Sequence, residues 1–453
     1  MQLQFLGATD TVTGSKYLVR HENSTVLVDC GLCQGYKELR LRNWTALPVP
    51  ASQIDAVILT HAHLDHSGYL PLLVRSGFRG KVWCTPATAD LCAILLPDSG
   101  HLQEEEAAYA NRSRFSKHKP ALPLYTEEDA RRSLRRFATT DYDHEFSPVP
   151  GLVCTLAPSG HMPGSSFVTL RGGGRSILFS GDLGRPADLV LRPPRAMPGA
   201  DYLVVESTYG DREHGQSDPL GVLADVINRT VSRSGVVVIP AFAVGRAQAL
   251  LHCVSQLKLS GAIPSGVPVF LNSPMAASAT TTFLRHAEEL RLSRQECEAM
   301  AGAATIIQTP EASEALNARH GPMVIIAASG MATGGRVVHH LEAFAPDPRN
   351  TILFAGHQAA GTRGALILAG ARTVRIHGAD VPVNAEVASI DHLSAHADAG
   401  EIIAWLSHFS APPRQTFITH GEPAAADALR QRIERQLHWP VHMPYYTEVV
   451  DLA

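Results

Sequence analysis

The sequence predicts an α/β protein of two domains, one inserted into the other, and three observations lead there. The first two hundred residues carry short apolar runs broken by Gly, Pro and Asp, at 16–19, 25–28, 56–59, 81–83, 153–156, 167–170, 176–179 and 202–205. Runs of that length, bounded by turn residues, are strands. From about residue 215, helical stretches alternate with β-branched runs at 236–239, 269–271, 323–327 and 351–354, the pattern of a parallel sheet covered by helices. After residue 381 short strands with His-rich turns return, followed by a helix at 424–437. The chain leaves its first domain and comes back to it, which places boundaries at 1–207, 208–380 and 381–453.

Length agrees, since 453 residues exceed what one hydrophobic core usually serves. Between residues 83 and 153 a Glu- and Arg-rich stretch has helical spacing, at 103–107 and 127–137, and reads as helices laid against the sheet. Its basic cluster, Arg131, Arg132, Arg135 and Arg136, reads as a solvated helix face. A composition 45% hydrophobic and 18% charged is that of a soluble globular protein. No apolar run reaches the ~18 residues of a membrane span, and Met1 to Phe5 open directly as a strand without a cleavable leader. The expectation is a cytoplasmic protein with no membrane partner. Seven cysteines without a regular frame argue against a disulfide scaffold, and the close pair Cys30 and Cys33 lacks the second pair a zinc knot needs.

The sharpest signal is the segment 60–68, Thr-His-Ala-His-Leu-Asp-His-Ser-Gly, between the strand at 56–59 and a helix at 69–74. His61, His63, Asp65 and His66 put four metal donors within six residues. In a tight turn His61 and His63 point one way and Asp65 and His66 another, so one loop serves two ions. Imidazole and carboxylate without thiolate suit a hydrolytic zinc site rather than a closed structural one.

Further donors follow other strands. Ser159-Gly160-His161 comes after 153–156 and Ser180-Gly181-Asp182 after 176–179. Asp182 is the natural bridge, because two zinc ions roughly 3.5–4 Å apart need a shared anion to offset their repulsion. Asp29 ends the run 25–28 in an apolar setting. An unpaired carboxylate is costly to bury there, and orienting a ligand or the attacking water would account for it.

In order and approximate spacing, Asp29, the cluster His61, His63, Asp65 and His66, His161, and Asp182 resemble the four motifs of the metallo-β-lactamase superfamily. Glu206-Ser-Thr-Tyr-Gly, Ser394-Ala-His396-Ala-Asp398 and Thr419-His420-Gly-Glu422 resemble the three further motifs of its β-CASP branch, which includes the polyadenylation endonuclease subunit and ribonuclease J. Segments 240–246, 273–276 and 329–331 are similar to the inserted β-CASP domain. The resemblance implies an αββα sandwich, with the inserted domain built on a parallel sheet flanked by helices and roofing the metal site. Three positions depart from the pattern: Cys33 for Phe, Asn272 for Asp, and His392-Leu393 for Gly-Phe. The chain ends about thirty residues after His420, which leaves no added C-terminal domain or RNA-binding module to expect.

Two zinc ions per chain are implied, one on His61, His63 and His161, the other on Asp65, His66 and His420, with Asp182 shared. They would offset the formal charge of −4, otherwise awkward for a phosphate-binding enzyme. His396 is the implied general acid and Glu206 the residue that keeps it protonated, while Asp29 and Asp65 complete the catalytic group. The glycine-rich segments 329–336 and 360–364, with Ser329, Gly330, Arg336 and Arg363, suit backbone phosphates. His420, a His where DNA-repair relatives have an apolar residue, points to single-stranded RNA, cut to 5′-phosphate and 3′-hydroxyl ends. A homodimer is left open. Two other readings share part of this pattern: a DNA nuclease, thioesterase or lactonase of the same fold, and a catalytically silent RNA-binding subunit.

Overall fold

Alternation of buried apolar residues along short strands builds two facing sheets in the first of two compact units, Met1–Ala187, Pro193–Glu213 and His396–Ala453. They are seen in a computed structural model, which describes residues 1–453 apart from 114–115, 216–217, 357, 359–360 and 391–392. One seven-stranded sheet runs in the order Val449–Asp451, Gln2–Phe5, Tyr17–His21, Ser24–Val28, Ala56–Ile58, Lys81–Cys84, Phe137–Thr139. The other runs Val441–His442, Gln415–Thr419, Tyr202–Glu206, Arg175–Phe179, Ser166–Gly172, Leu152–Pro158, Phe146–Val149.

Alternate residues of both sheets meet in one core: Phe5, Tyr17, Val28 and Ile58 from the first, Leu156, Val168, Phe179, Val204 and Phe417 from the second. Phe5 lies 5.2 Å from Phe417 and Tyr17 5.7 Å from Phe179 between ring centroids. The residues in between, Phe167, Leu178, Leu203, Val205 and Ile418, face outward onto Ile402, Leu406, Leu429 and Ile433 of the helices Ala399–Leu406 and Pro423–Gln436. The period of two is thus used on both faces, as a sandwich between helices requires.

Strand directions place the site. Ser24–Val28, Ala56–Ile58 and Lys81–Cys84 are parallel neighbours, and so are Arg175–Phe179, Tyr202–Glu206 and Gln415–Thr419. Their carboxyl ends therefore come level within each sheet; Glu206 closes its strand, and the segments following the others carry Asp29, His61, Asp182 and His420.

The second unit, Asp188–Arg192 and His214–Ala395, is built on a six-stranded sheet in which every pairing is parallel. The order is Thr305–Ile306, Val269–Asn272, Met323–Ala327, Val236–Pro240, Thr351–Phe354, Glu386–Ser389. Val237 and Ile239 pack on Leu223, Ile227, Leu250 and Val254 of the helices Pro219–Ser232 and Arg246–Leu259. Val236 and Val238 pack on Val337, Leu341 and Phe344 of the helix Arg336–Phe344. A sheet buried on both faces explains why these strands read as continuous β-branched runs rather than alternating ones.

Two expectations need correction. The helix expected at 127–137 stops at Ser133, continues as a single turn over Leu134–Arg136, and gives way to a strand at Phe137 that pairs with Val82; sheet pairing overrides the helical spacing. The helix expected at 69–74 is preceded by a separate short helix, Leu64–Ser67, that carries Asp65 and His66. In the basic cluster Arg131, Arg132 and Arg135 are exposed, and two of them pair with acids of their own helix, Arg131 with Glu127 at 2.6 Å and Arg132 with Asp129 at 2.7 Å. All seven cysteines are buried and free. Among the described residues no helix is long and apolar enough to cross a membrane.

Phe179 is 1% exposed at the centre of the inter-sheet core, so Phe179→Ala should cost about 3–5 kcal/mol. Urea unfolding checks this, and a loss below about 1 kcal/mol would mean that the aromatic contacts do not hold the sheets together.

Candidate metal centre

The loops after the aligned strands are tied to one another before any ligand is considered. Asp29 N–H donates to Ile58 O at 2.8 Å, Cys30 N–H to His66 O at 2.6 Å, Ser166 N–H to Thr60 O at 2.8 Å and His420 N–H to Ala8 O at 2.7 Å. Several turns are in the left-handed region that side chains disfavour: Asp29 has φ +59° and His420 φ +52°. Such strain persists where the surroundings impose it. Gly181, φ +51°, precedes Asp182, and a Cβ there would sit 2.7 Å from Thr60 Cβ. Only glycine lets the two loops close.

Two donor groups result. His61 Nε2, His63 Nδ1, His161 Nε2 and Asp182 form the first. His61 Nε2 lies 3.2 Å and His161 Nε2 3.1 Å from His63 Nδ1, and the same two nitrogens lie 3.3 and 3.4 Å from Asp182 Oδ2. These separations suit the edges of a tetrahedron of donors around a zinc-sized ion, roughly 3.3 Å for ligands at 2.0–2.1 Å. Asp65, His66 and His420 form the second group. His66 Nε2 is 3.1 Å from His420 Nε2, and His420 Nε2 is 3.4 Å from Asp65 Oδ2. Asp182 turns its other oxygen to this side, with Oδ1 3.1 Å from His66 Nε2 and 3.6 Å from His420 Nε2. That Oδ1 is buried and accepts no hydrogen bond from the described residues. A buried carboxylate oxygen without a donor fits a cation ligand.

The imidazoles are held in the tautomer that ligation needs. Thr60 Oγ1 donates to Asp29 Oδ2 at 2.9 Å and so accepts from His61 Nδ1, 3.0 Å away. Asp29 accepts from His66 Nδ1 at 2.8 Å and from Thr60 N–H at 2.7 Å. Thr208 Oγ1 takes the Nδ1 proton of His420 at 3.1 Å. Each of the three rings therefore presents a lone pair at Nε2, and the carboxylate–imidazole pair on His66 is the usual outer support of a metal ligand. Thr60 and Thr208 were not singled out from sequence, although each sits beside a motif residue.

Charge follows geometry. Burial and the neighbouring His66 depress His61 to about 3, and burial depresses His63 to about 4, so both are neutral as ligands must be. Burial acts on His66 in the same direction, but Asp182 and Asp29 outweigh it and hold His66 above the ordinary histidine range. The pull those carboxylates exert on a proton is the pull they would exert on a cation. Withdrawal from water, complete for Asp182 and partial for Asp65, opposes ionisation, yet the surrounding imidazoles keep both below the usual carboxylate range.

His396 stands beside the first group, Nε2 3.9 Å from Asp182 Oδ2. Its Nδ1 is 3.2 Å from both oxygens of Glu206. Glu206 is in turn fixed by the Leu183 N–H at 2.5 Å and the Thr208 N–H at 3.3 Å. Burial would lower the His396 pKa, but Glu206 and Asp182 raise it to about 9.

Ser329, Gly330, Arg336 and Arg363 belong to the second unit. Ser329 Oγ accepts from the N–H groups of Thr333 and Gly334 at 3.3 and 3.4 Å. The Arg336 guanidinium donates to Asn272 Oδ1 at 2.8 Å and to the carbonyls of Ile307 and Gln308, and Arg363 donates to the carbonyls of Arg375 and Ala332. Both arginines thus spend donors on their own backbone. Asn272 also meets His340 Nε2 at 2.6 Å, and Cys33 is clasped through its main chain by Asn43. Residues 360 and 392, named in the sequence reading, lie outside the described residues.

Comparison with known proteins matches the Metallo-beta-lactamase superfamily to residues 10–229, the Beta-Casp domain to 247–367 and the Zn-dependent metallo-hydrolase RNA specificity domain to 380–444. Ribonuclease TTHA0252 of Thermus thermophilus is 37% identical over 430 residues, 93% of either chain. Transcription termination factor FttA of Methanosarcina mazei is 31% identical over 452 residues, 95% of this chain and 68% of that one. A solved structure, a protein of unknown function from Enterococcus faecalis V583, shares the fold with a TM-score of 0.53 over 99% of both chains at 13% identity. With a relative at this identity along nearly the full length, and with its three domain matches in order, the chain belongs to the β-CASP family of metal-dependent nucleases within the metallo-β-lactamase superfamily.

Proposed function

We propose that the chain is a ribonuclease that hydrolyses phosphodiester bonds of single-stranded RNA with two zinc ions, leaving 5′-phosphate and 3′-hydroxyl ends. The observation that carries this reading is the orientation of Asp182, whose two oxygens face two separate donor groups. His61, His63 and His161 would hold one ion, Asp65, His66 and His420 the other, with Asp182 offered to both. When bound, the pair supplies Lewis acidity to the phosphate and brings the pKa of a water toward ~7. The RNA-specificity match at 380–444 and a relative named as a ribonuclease support the substrate.

The chain's own residues do the rest. Asp29, Thr60 and Thr208 fix the ring planes, so the donors need not reorganise during turnover. Glu206 accepts the Nδ1 proton of His396 and leaves Nε2–H directed at the centre, where it protonates the departing O3′. A thioesterase has less use for such an acid, because a thiolate departs without a proton. In the second unit, the turn that carries Ser329 and Gly330 remains the proposed phosphate site, with Arg363 braced on the Ala332 carbonyl of that turn and Arg336 on the carbonyls of Ile307 and Gln308.

RNA labelled at either end, with DNA of the same sequence alongside, tests the substrate. RNA should be cut and DNA cut poorly, and the fragment lengths distinguish internal cleavage from removal of end nucleotides. Equal cleavage of both polymers would reduce the reading to a general nuclease.

Metal content tests the ligands. His420→Ala should weaken one of two zinc equivalents selectively, since the other keeps three histidines, while Asp182→Ala should weaken both. Two tightly held ions in Asp182→Ala would rule out the bridge.

The general acid is tested by His396→Ala, which should slow RNA cleavage by roughly 10²–10⁴-fold with little change in zinc. Bis(p-nitrophenyl) phosphate, whose leaving group needs no proton, should lose much less. Because the raised pKa keeps His396 protonated at neutral pH, wild-type cleavage should fall as pH rises through about 9, at lower pH once bound cations offset Asp182. That limb should vanish in the variant. Equal losses on both substrates would sink the role.

A further inference from the structure

The second unit carries metal donors that the reaction above does not use. His339 and Glu342 stand three residues apart on the helix Arg336–Phe344, hence on one face. His377 reaches them from the tip of the hairpin Thr373–Ile376 and Ala379–Pro382. One donor atom of each residue lies within 4.8 Å of the other two. His377 Nδ1 is 2.8 Å from Glu342 Oε2, and the His339 and His377 rings lie 4.5 Å apart at 34°. All three side chains are exposed, and Glu314 adds a second negative charge to the field at His339.

The hairpin turn gives an independent reason to look for a ligand. Ile376 pairs with Ala379, leaving a two-residue turn in which His377 has φ +48° and Gly378 φ +86°. A turn with both φ values positive favours Asn-Gly or Asp-Gly. Histidine tolerates the left-handed region but is not the residue that the turn selects. Its polar partner among the described residues, Glu342, is 42% exposed, and an exposed pair of this kind contributes little. Two imidazoles and a carboxylate from two elements, with positions left for water, are the donor chemistry of zinc and its neighbours.

We propose that His339, Glu342 and His377 form a separate binding site for a divalent transition cation, zinc by donor type, which clips the hairpin to the helix. The clip joins segments that are already braced: Arg336 at the helix start holds Asn272, and Arg363 holds the Arg375 carbonyl of the hairpin. The site does not depend on the reading of the catalytic centre.

The test uses protein carrying its active-centre metals, dialysed against micromolar zinc. Wild type should hold one equivalent more than His377→Asn, a change that suits the turn and keeps the hairpin folded, and one more than Glu342→Gln. Added zinc should raise the Tm of wild type by a few degrees and leave that of His377→Asn unchanged. RNA cleavage should be equal in all three. Equal metal content in wild type and both variants, or a zinc-induced Tm shift that survives His377→Asn, would overturn the site. So would a third equivalent that washes out at micromolar zinc, which marks an adventitious ion only.

Discussion

Burying the Asp182 carboxylate, 1% exposed and ringed by imidazole nitrogens on two sides, costs on the order of several kcal/mol unless positive charge meets it. Much of the first unit serves that condition. The parallel registers bring the strand ends level, Gly181 lets the Asp182 loop lie against Thr60, and Asp29 and Thr208 turn His66 and His420 inward. Each of these would be a cost without the centre, as left-handed residues, close approaches and buried polar atoms. Together they hold one carboxylate between two donor groups.

The two groups are not equivalent. The first gathers three histidines around one carboxylate oxygen, with His61 and His63 depressed to neutrality by their surroundings. The second is richer in negative charge, with Asp65 in the group and Asp29 behind His66, and it draws His420 from far along the chain. A cation on the second side would be held more by charge and less by a closed cage. Asp65, 22% exposed where His66 and His420 are nearly fully buried, marks that side as the more open one.

What the sequence disclosed follows from spacing. Four donors within six residues at a strand end cannot be missed, and the strands themselves were readable because both sheets use a period of two. What stayed hidden depends on three dimensions. Thr60 and Thr208 matter through hydrogen bonds that no local pattern announces. Phe137 joins a sheet although its neighbours have helical spacing, because Val82 offers a partner. Phe146–Val149 contains Pro148, and a strand with proline survives here because it is the outermost of its sheet. Arg336 and Arg363 looked like phosphate forks until their carbonyl partners were in view. His339, Glu342 and His377 meet only after the chain has travelled thirty-five residues from Glu342.

The span between the ligands has a consequence for biosynthesis. Segment 60–68 leaves the ribosome early, whereas His420 and the strand Gln415–Thr419 that seats it follow more than three hundred residues later. Closing so long a loop adds little extra entropy over a shorter one, so the delay is one of translation rather than of folding energy. Until that strand pairs with Tyr202–Glu206, His420 is missing from the group it forms with Asp65 and His66. On the two-ion reading, such a chain would lack a complete centre until Gln415–Thr419 has been made.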